Sequence, residues 1–313
     1  MIEIIDLHTG AKLSGCDSSV LCLGNFDGVH LGHAELIRQT VDLKNKFFQK
    51  DKDKNILGGA WCFRQPPAEF LFGEKHRCLT TTEEKLKIFA ELGLDIAVLG
   101  DFSSLRDMSP RDFTENILKK ELGCVATVCG FNFKFGKGGK GSPEILFDVF
   151  GADCRVVSPV TIDGITVCSS MIRQYLSAGD TESATQMLGR PYFSSLKVVK
   201  GKMLGRQWGL PTINQFFAEE KFVPKKGVYA TTAEVRGKEY LSVTNVGTNP
   251  TVGDAGVRCE THILDFDGDL YGEEIKVNYY KFLRNEQKFN DISELTEAIR
   301  RNIIETRDYF KNK

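Results

Sequence analysis

The run Leu23-Gly24-Asn25-Phe26-Asp27-Gly28-Val29-His30-Leu31-Gly32-His33 constrains this chain more than any other stretch. The apolar Val20-Leu21-Cys22-Leu23 ahead of it reads as a buried strand, and Ala34, Ile37 and Val41 behind it recur at helical spacing. The motif therefore sits where a strand hands over to a helix. Helix-start N–H groups and the helix dipole favour a phosphate at such a junction. His30 and His33, three apart, share one face of the first turn. Gly32 between them lets a nucleotide approach the backbone closely. A histidine pair at this spacing is more often solvated than catalytic, and no Cys or Glu follows at the spacing of a zinc site. The string as a whole suits a site that holds ATP with its α-phosphate open to attack.

Strand and helix signals alternate up to about Gly189. Ile56–Phe63 reads as a strand. Thr82–Leu92 reads as a helix, with Thr82 as cap before Glu83-Glu84 and the apolar Leu86, Phe89 and Leu92. Ile96–Leu99 is a strand, Ser109-Pro110 opens a helix carrying Phe113, Ile117 and Leu118, and Val125–Cys129 is the next buried strand. This alternation predicts a parallel sheet with helices on both faces, with ligands at the carboxyl ends of its strands. From Lys197 to about Phe282 the pattern changes to short β-rich runs broken by Gly and Pro: 196–199, 227–232, 240–243, 261–264 and 275–277. Closely spaced short strands predict a small barrel. Asp291 to Phe310 reads as one helix, with Leu295, Ile299, Ile303 and Ile304 among its apolar residues. A length of 313 residues fits two domains, and the expected boundary near Leu188-Gly189 gives 1–188 and 189–313.

The bulk numbers exclude several classes. A formal net charge of −1 offers no field to recruit nucleic acid or anionic lipid. No apolar run approaches membrane-spanning length, and the start MIEIIDLHTG is acidic where a signal peptide is basic. Nine cysteines without a CxxC pair fit a reducing cytoplasm, and Cys259 reads as packing.

Two further segments suit the first site. Gly130-Phe131-Asn132-Phe133-Lys134-Phe135-Gly136 follows a strand directly, and Asn132 can donate or accept at a ligand. Ser169-Ser170-Met171-Ile172-Arg173 opens a helix, and hydroxyls at a helix start with an arginine one turn on suit a polyphosphate. The second strong signal is Gly201-Lys202-Met203-Leu204-Gly205-Arg206-Gln207-Trp208-Gly209-Leu210-Pro211-Thr212-Ile213-Asn214. Its glycines can bend tightly around an anion. Thr212 and Asn214, two apart in an extended segment, point their oxygens to one side, and neutral oxygens suit a Mg²⁺ that already carries nucleotide phosphates. A Gly-rich turn whose Thr and Asn satisfy local backbone is the bland alternative.

These strings resemble two known signatures. Gly24-Asn25-Phe26-Asp27-Gly28-Val29-His30-Leu31-Gly32-His33 resembles GxFDGVHxGH of the bacterial FAD synthetases (FMN adenylyltransferases), which are HxGH nucleotidylyltransferases. Ser169–Arg173 resembles their SSTxIR element, with Ser170 where Thr is usual. The Gly205–Asn214 run resembles GRxxGxPTAN of riboflavin kinases, with Ile213 for the usual Ala. Pro224–Ala230, Asn245–Thr251, Glu260–Leu264, Leu270–Gly272 and Leu283–Phe289 resemble further kinase elements. The resemblance, covering nearly the whole chain, is to the bifunctional riboflavin kinase/FAD synthetase family. It implies an α/β Rossmann-like nucleotidylyltransferase domain, then a small Greek-key-type β-barrel kinase domain with a C-terminal helix. It also implies riboflavin, FMN and ATP as substrates, with Mg²⁺. By the same resemblance His30, His33 and Arg173 are catalytic in adenylyl transfer, and Gly24, Asn25, Phe26, Gly28, Gly32, Asn132, Ser169 and Ser170 hold ATP beside them. Glu260 is the general base of the kinase. Gly201, Lys202, Gly205, Arg206, Pro211, Thr212, Asn214, Gly227, Tyr229 and Arg284 bind ATP or flavin there, with Thr212 and Asn214 at the metal. His262 faces the same way as Glu260 and is expected to support the site.

The departures matter too. Leu196 stands where Gly is common, and Lys202 and Leu204 replace a frequent Asp and Arg. Phe63-Arg64-Gln65-Pro66-Pro67 stands where FxPHP is usual, so Pro66 replaces a histidine. That favours a rival in which only the kinase is fully active, and the intact His30–His33 pair argues against it. Intact Thr212, Asn214 and Glu260 argue against a non-catalytic flavin carrier.

Overall fold

The computed structural model describes residues 2–7, 18–65, 67–73, 77–201, 209–248 and 256–313. Packing divides the chain into two units, Met1–Cys168 and Ser169–Lys313.

The first unit is a six-stranded sheet of β1 (Glu3–Asp6), β2 (Ser18–Leu23), β3 (Ile56–Phe63), β4 (Ile96–Gly100), β5 (Cys124–Gly130) and β6 (Cys154–Val157), in the order β1-β4-β3-β2-β5-β6. Every pairing in it is parallel. Near-continuous apolar strands such as Val20–Leu23 are what a sheet buried on both faces requires. Leu21 and Leu23 join a cluster with Phe113, Leu118, Leu146 and Phe150. The alternate residues Val20 and Cys22 turn to the other face. There α1 (Leu31–Lys50) buries Leu36, Ile37, Thr40 and Leu43, and burial pushes the Cys22 thiol up to about 12. From β2 the chain steps outward through β3 to β4, then returns to place β5 on the other side of β2. The order reverses between β2 and β5, where Leu23 and Cys129 are register partners. The crevice at the carboxyl ends of those two strands is the topological switch point at which open α/β sheets bind ligands.

The short helix α2 (Pro67–Phe72) follows β3. The next helix, α3 (Thr82–Glu91), is capped by Thr81 rather than Thr82: the Thr81 hydroxyl accepts from Glu84 N, and the Glu84 carboxylate accepts from Thr81 N. The cap lies one residue ahead of the predicted Thr82, because Thr82 places Lys85 three positions on, whereas Thr81 places Glu84 there and closes the capping box. Helix α4 (Phe102–Leu105) follows β4, and α5 (Pro110–Asp112) starts at the Ser109 cap with Pro110 in its first turn, then continues as π-helix over Phe113–Glu121. Helix α6 (Pro143–Phe150) leads to β6, and the hairpin β7 (Thr161–Ile162) and β8 (Ile165–Thr166) ends the unit.

The second unit opens with α7 (Ser169–Ala178) and α8 (Thr181–Leu188). Helix α8 packs on the strands Tyr192–Lys197 and Glu274–Arg284 of the sheet that follows, and α7 is tied to the segment that leads into the strand Gly227–Val235. Lys225 N donates to Leu176 O at 2.9 Å, and the Thr181 hydroxyl to Tyr280 O at 2.8 Å. The division by packing therefore falls at 168/169, twenty residues ahead of the sequence boundary at 188/189. Periodicity marks where strands begin, not which sheet a helix leans on.

The sheet comprises β9 (Tyr192–Lys197), β10 (Ile213–Phe216), β11 (Gly227–Val235), β12 (Lys238–Gly247), β13 (Arg258–Ile263) and β14 (Glu274–Arg284), in the order β10-β13-β12-β11-β14-β9. All its pairings are antiparallel. Strands β11 to β14 form a Greek key, since β14 returns beside β11. Val199, just past β9, bridges to Asn214 of β10, its N–H donating at 2.8 Å, so the sheet curls back on itself. Strand β9 begins at Tyr192, ahead of the predicted Leu196. Inside the curl the hydroxyls of Ser242, Thr231, Thr244 and Thr261 form a buried chain at 2.8 to 2.9 Å. Helix α9 (Ile292–Lys311) closes the chain, with Asp291 accepting from Glu294 N as its cap.

Candidate active sites

In the first unit the turn from Gly24 to His30 leaves β2 at the switch point. It is tightly wound, with φ of 51° at Phe26, 80° at Gly28 and 39° at Val29. Left-handed backbone at two residues with side chains costs on the order of 1–3 kcal/mol each and persists only where the surroundings impose it. Here the segment before α3 imposes it. Leu79 N donates to the Asp27 carboxylate at 2.7 Å, and Gly28 N donates to the Thr80 hydroxyl at 3.1 Å. Phe26, fully buried, packs edge-on against Phe89.

His30 is the cap of α1: its Nδ1 accepts from His33 N at 3.4 Å. A neutral His30 in this role carries its proton on Nε2, which is then a donor. The His30 and His33 rings stack at 3.7 Å and 17°. Gly32 leaves room for the His30 ring, because a Cβ there would stand 3.2 Å from it, closer than ordinary van der Waals contact. His30 is buried at 7% exposure. Asn132 is exposed in the turn after β5, the neighbouring strand, and Gly24 and Asn25 lie at the mouth of the turn. Ser169, Ser170 and Arg173 head α7 in the second unit, where the Arg173 guanidinium lies 5.9 Å from the Phe222 ring centre. Pro66 lies outside the described residues.

The candidate kinase residues are ordered by strand register. Asn214 of β10 is the partner of Glu260 on β13, and Glu260 is in turn the partner of Asn245 on β12. Register partners share a face, so the Glu260 carboxylate stands between two amides. Asn245 was not among the predicted site residues: its string resembled a kinase element, but only the pairing of β12 with β13 puts it beside Glu260. Arg258, two residues before Glu260, pairs with its carboxylate at 2.7 Å. Thr212 is exposed and lies on the Asn214 side of the strand. The ring Nδ1 of His262 is 2.7 Å from Pro211 O; a carbonyl only accepts, so Nδ1–H donates and holds the Pro211-Thr212 segment. Gly201 gives the Asn214 amide its space, since a Cβ there would lie 2.4 Å from Asn214 Nδ2. Lys202, Gly205 and Arg206 lie outside the described residues.

The remaining predicted kinase residues are placed as follows. Gly227 has φ of 148°, and a Cβ on it would lie 2.4 Å from Arg284 O. Tyr229 is fully buried in the curl, its hydroxyl donates to Lys225 O, and burial raises its pKa. It can act on a ligand only by fixing that segment. Arg284 donates from Nε to Asn302 of α9 at 3.0 Å, and burial lowers its pKa. Cys259, pushed up to about 12 by burial, is an inert packing thiol.

Comparison with known proteins finds two family models along the chain. A family model of FAD synthetase matches residues 14–171, and one of riboflavin kinase matches residues 188–310. A Bacillus subtilis bifunctional riboflavin kinase/FMN adenylyltransferase is 34% identical over 302 residues, covering 94% of this chain and 93% of that protein. The chain belongs to the bifunctional riboflavin kinase/FMN adenylyltransferase family. A member from Escherichia coli (strain K12) is 33% identical over 306 residues, covering 96% of this chain and 94% of its own. The fold is also that of a solved Streptococcus pneumoniae structure described as a macrolide-efflux protein, with a TM-score of 0.85, 29% identity and coverage of 98% and 99% of the two chains. Among the described residues of this family member, no helix is long and apolar enough to cross a membrane.

A Mg²⁺ in such a kinase needs hard oxygen donors and keeps several waters and phosphate oxygens. Thr212 and Asn214 offer a hydroxyl and an amide oxygen from one side of a strand, next to the Glu260 carboxylate, and this donor set fits. No cluster of His, Cys, Asp and Glu among the described residues could hold a metal instead.

Proposed function

We infer that this enzyme transfers the γ-phosphoryl group of ATP to the 5′-hydroxyl of riboflavin, giving FMN and ADP. It then joins FMN to the AMP of a second ATP, giving FAD and pyrophosphate. The observation that carries this reading is the tandem of an FAD synthetase match over 14–171 and a riboflavin kinase match over 188–310 in one chain. We propose residues 1–188 as the adenylyltransferase domain and 189–313 as the kinase domain.

In the kinase, Glu260 accepts the proton of the ribityl hydroxyl as it attacks, the role of the positioned carboxylate in phosphoryl transfer. The flanking Asn214 and Asn245 amides orient that carboxylate or the hydroxyl it serves. Thr212 and Asn214 would hold Mg²⁺, which when bound with the nucleotide neutralises charge building on the phosphates. Gly201, Lys202, Gly205, Arg206 and Pro211 contact the nucleotide. Gly227 and Tyr229 shape the flavin side, with Arg284 braced against α9.

In the adenylyltransferase the nucleophile is the FMN phosphate. It is already anionic, so the site needs positioning and charge stabilisation rather than a base. His30, with Nδ1 occupied as a cap acceptor, turns Nε2 to the ligand. His33 stacks on it, and Arg173 adds positive charge. The turn from Gly24 to Gly28 with Gly32 cradles the phosphates, while Asn132, Ser169 and Ser170 complete the nucleotide contacts. The setting we propose is cytoplasmic, with small-molecule substrates and no nucleic-acid or membrane partner. Its support is the near-zero net charge and the scattered cysteines of the sequence.

Incubation with riboflavin, ATP and Mg²⁺ followed by separation of the flavins tests this reading. FMN together with FAD is the expected result. FMN alone would support the kinase-only rival that Pro66 favours, and no product would leave a flavin carrier.

A further inference from the structure

Lys85 belongs to no motif singled out in the sequence, yet it lies against the phosphate turn. It sits in the first turn of α3, directly after the Thr81–Glu84 capping box, and is buried at 8% exposure. Its ammonium donates to Asn25 O at 3.0 Å. That carbonyl belongs to the turn between β2 and α1. Asp27 and Gly28 of the same turn are held by Leu79 and Thr80, which lie just ahead of α3. Thus one short segment, 79–85, clamps the turn at three successive points and delivers one positive charge to it.

The rest of the ammonium's surroundings are unusual. A lysine carries three donors, and one is used here. No carboxylate among the described residues pairs with it: Glu84, its neighbour, turns back to accept from Thr81 N, and Asp27 accepts from Leu79 N. Lysine is almost never this buried without a charged partner, because a buried charge is costly unless paired and hydrogen-bonded. A purely structural anchor for the Asn25 carbonyl would need no charge; a neutral donor would serve. A buried ammonium with no carboxylate partner among the described residues, set against a turn suited to phosphate, points to a negative charge that arrives with the ligand.

We propose that Lys85 is a phosphate-binding residue of the adenylyl-transfer site, its ammonium holding the polyphosphate of the nucleotide: the triphosphate before transfer and the pyrophosphate after it. This rests on the reading that the Gly24–His30 turn holds ATP. In the step it serves, an FMN phosphate oxygen forms a bond to the α-phosphorus. The bond from that phosphorus to the bridging oxygen of pyrophosphate breaks, and its electron pair leaves with pyrophosphate. Charge builds on that leaving oxygen, and no proton need move. Lys85 stabilises the leaving group from a fixed position, so its contribution grows along the reaction. Because the same ammonium grips Asn25, binding of phosphate also tightens the turn.

The test uses the full chain with Lys85→Met, which keeps length and loses charge, and Lys85→Arg, which keeps charge. FAD formation from supplied FMN and ATP is measured with added pyrophosphate as inhibitor; circular dichroism reports on folding, and riboflavin phosphorylation is the control on the second unit. Lys85→Met should lower kcat/KM for ATP about 10²-fold, the scale of losing one oxyanion donor. It should weaken pyrophosphate inhibition at least about tenfold, by the same loss of contact, with KM for FMN and the kinase rate little changed. Lys85→Arg should recover part of both losses. Pyrophosphate that inhibits Lys85→Met as strongly as wild type would overturn the proposal, even with transfer reduced, because Lys85 would then only shape the turn. A Lys85→Met chain too unstable to assay leaves Lys85→Arg to decide, and an arginine variant with wild-type folding but no pyrophosphate binding also overturns it. A wild-type chain that makes no FAD and ignores pyrophosphate would reject the ATP reading of the turn itself, and Lys85 with it.

Discussion

Gly201→Ala isolates the link between the loop after β9 and the kinase site. The φ of Gly201 is not in the left-handed region, so alanine is compatible with the backbone and the effect is one of space. The added Cβ would stand 2.4 Å from Asn214 Nδ2, 2.7 Å from Cγ and 3.0 Å from Oδ1. These contacts lie well inside van der Waals distance, so something must move. The backbone on either side resists, because Val199 N is bonded to Asn214 O at 2.8 Å. The Asn214 amide is therefore what gives way, and it lies beside Glu260. Overpacking of this kind costs about 1–3 kcal/mol. If that strain is relieved by displacing the amide, the kinase barrier rises by a similar amount, a loss of about 10- to 100-fold in kcat/KM. The assay is FMN formation across a Mg²⁺ titration, with FAD formation from supplied FMN as an internal control. The kinase should fall and its Mg²⁺ requirement should rise, while adenylyl transfer holds. Since both changes act through one amide, Gly201→Ala combined with Asn214→Ala should be no worse than Asn214→Ala alone. Full additivity of the two, or a single variant as active as wild type, would refute the reasoning.

Three further outcomes are expected. His33→Ala should cut adenylyl transfer by about 10²-fold or more, as loss of a charge-stabilising donor does, and leave riboflavin phosphorylation intact. His30→Ala should lose the same activity and also about 1 kcal/mol of stability with the α1 cap, whereas His30→Asn, which can still cap, should regain stability but not activity in paired melting and turnover assays. Gly227→Ala should destabilise the second unit by about 3 kcal/mol or more, from a strained φ and a clash with Arg284 O, and lower its melting temperature by about 5 °C or more.

Much of this molecule is legible in order along the chain. The strand–turn–helix reading of Val20 to Val41, the 56–63 strand and the Ser109-Pro110 helix start need only local patterns, and the structure has each of them. His30 and His33 do come together, though not as i and i+3 of a helix: His30 is the extended cap of α1, and its ring accepts from His33 N and stacks on the His33 ring. What is not legible depends on pairing between distant segments. Asn245 reaches Glu260 only through the β12–β13 register. Lys85 is sixty residues from the turn it grips. Tyr229 lies in a motif yet faces the interior of the curl, because the side a strand residue faces is set by the whole sheet. Helices α7 and α8 read as a continuation of the first domain, and only their contacts with Lys225 and Tyr280 assign them to the second unit.

The central claim is that one chain carries two reactions at separate sites, and Glu260→Gln tests it most directly. The variant is supplied in parallel with riboflavin and ATP, or with FMN and ATP, and the flavins are separated after each incubation. The account predicts no FMN from riboflavin and a near-wild-type yield of FAD from FMN. Loss of FAD formation in a folded variant, or FMN formation that survives the substitution, would contradict it.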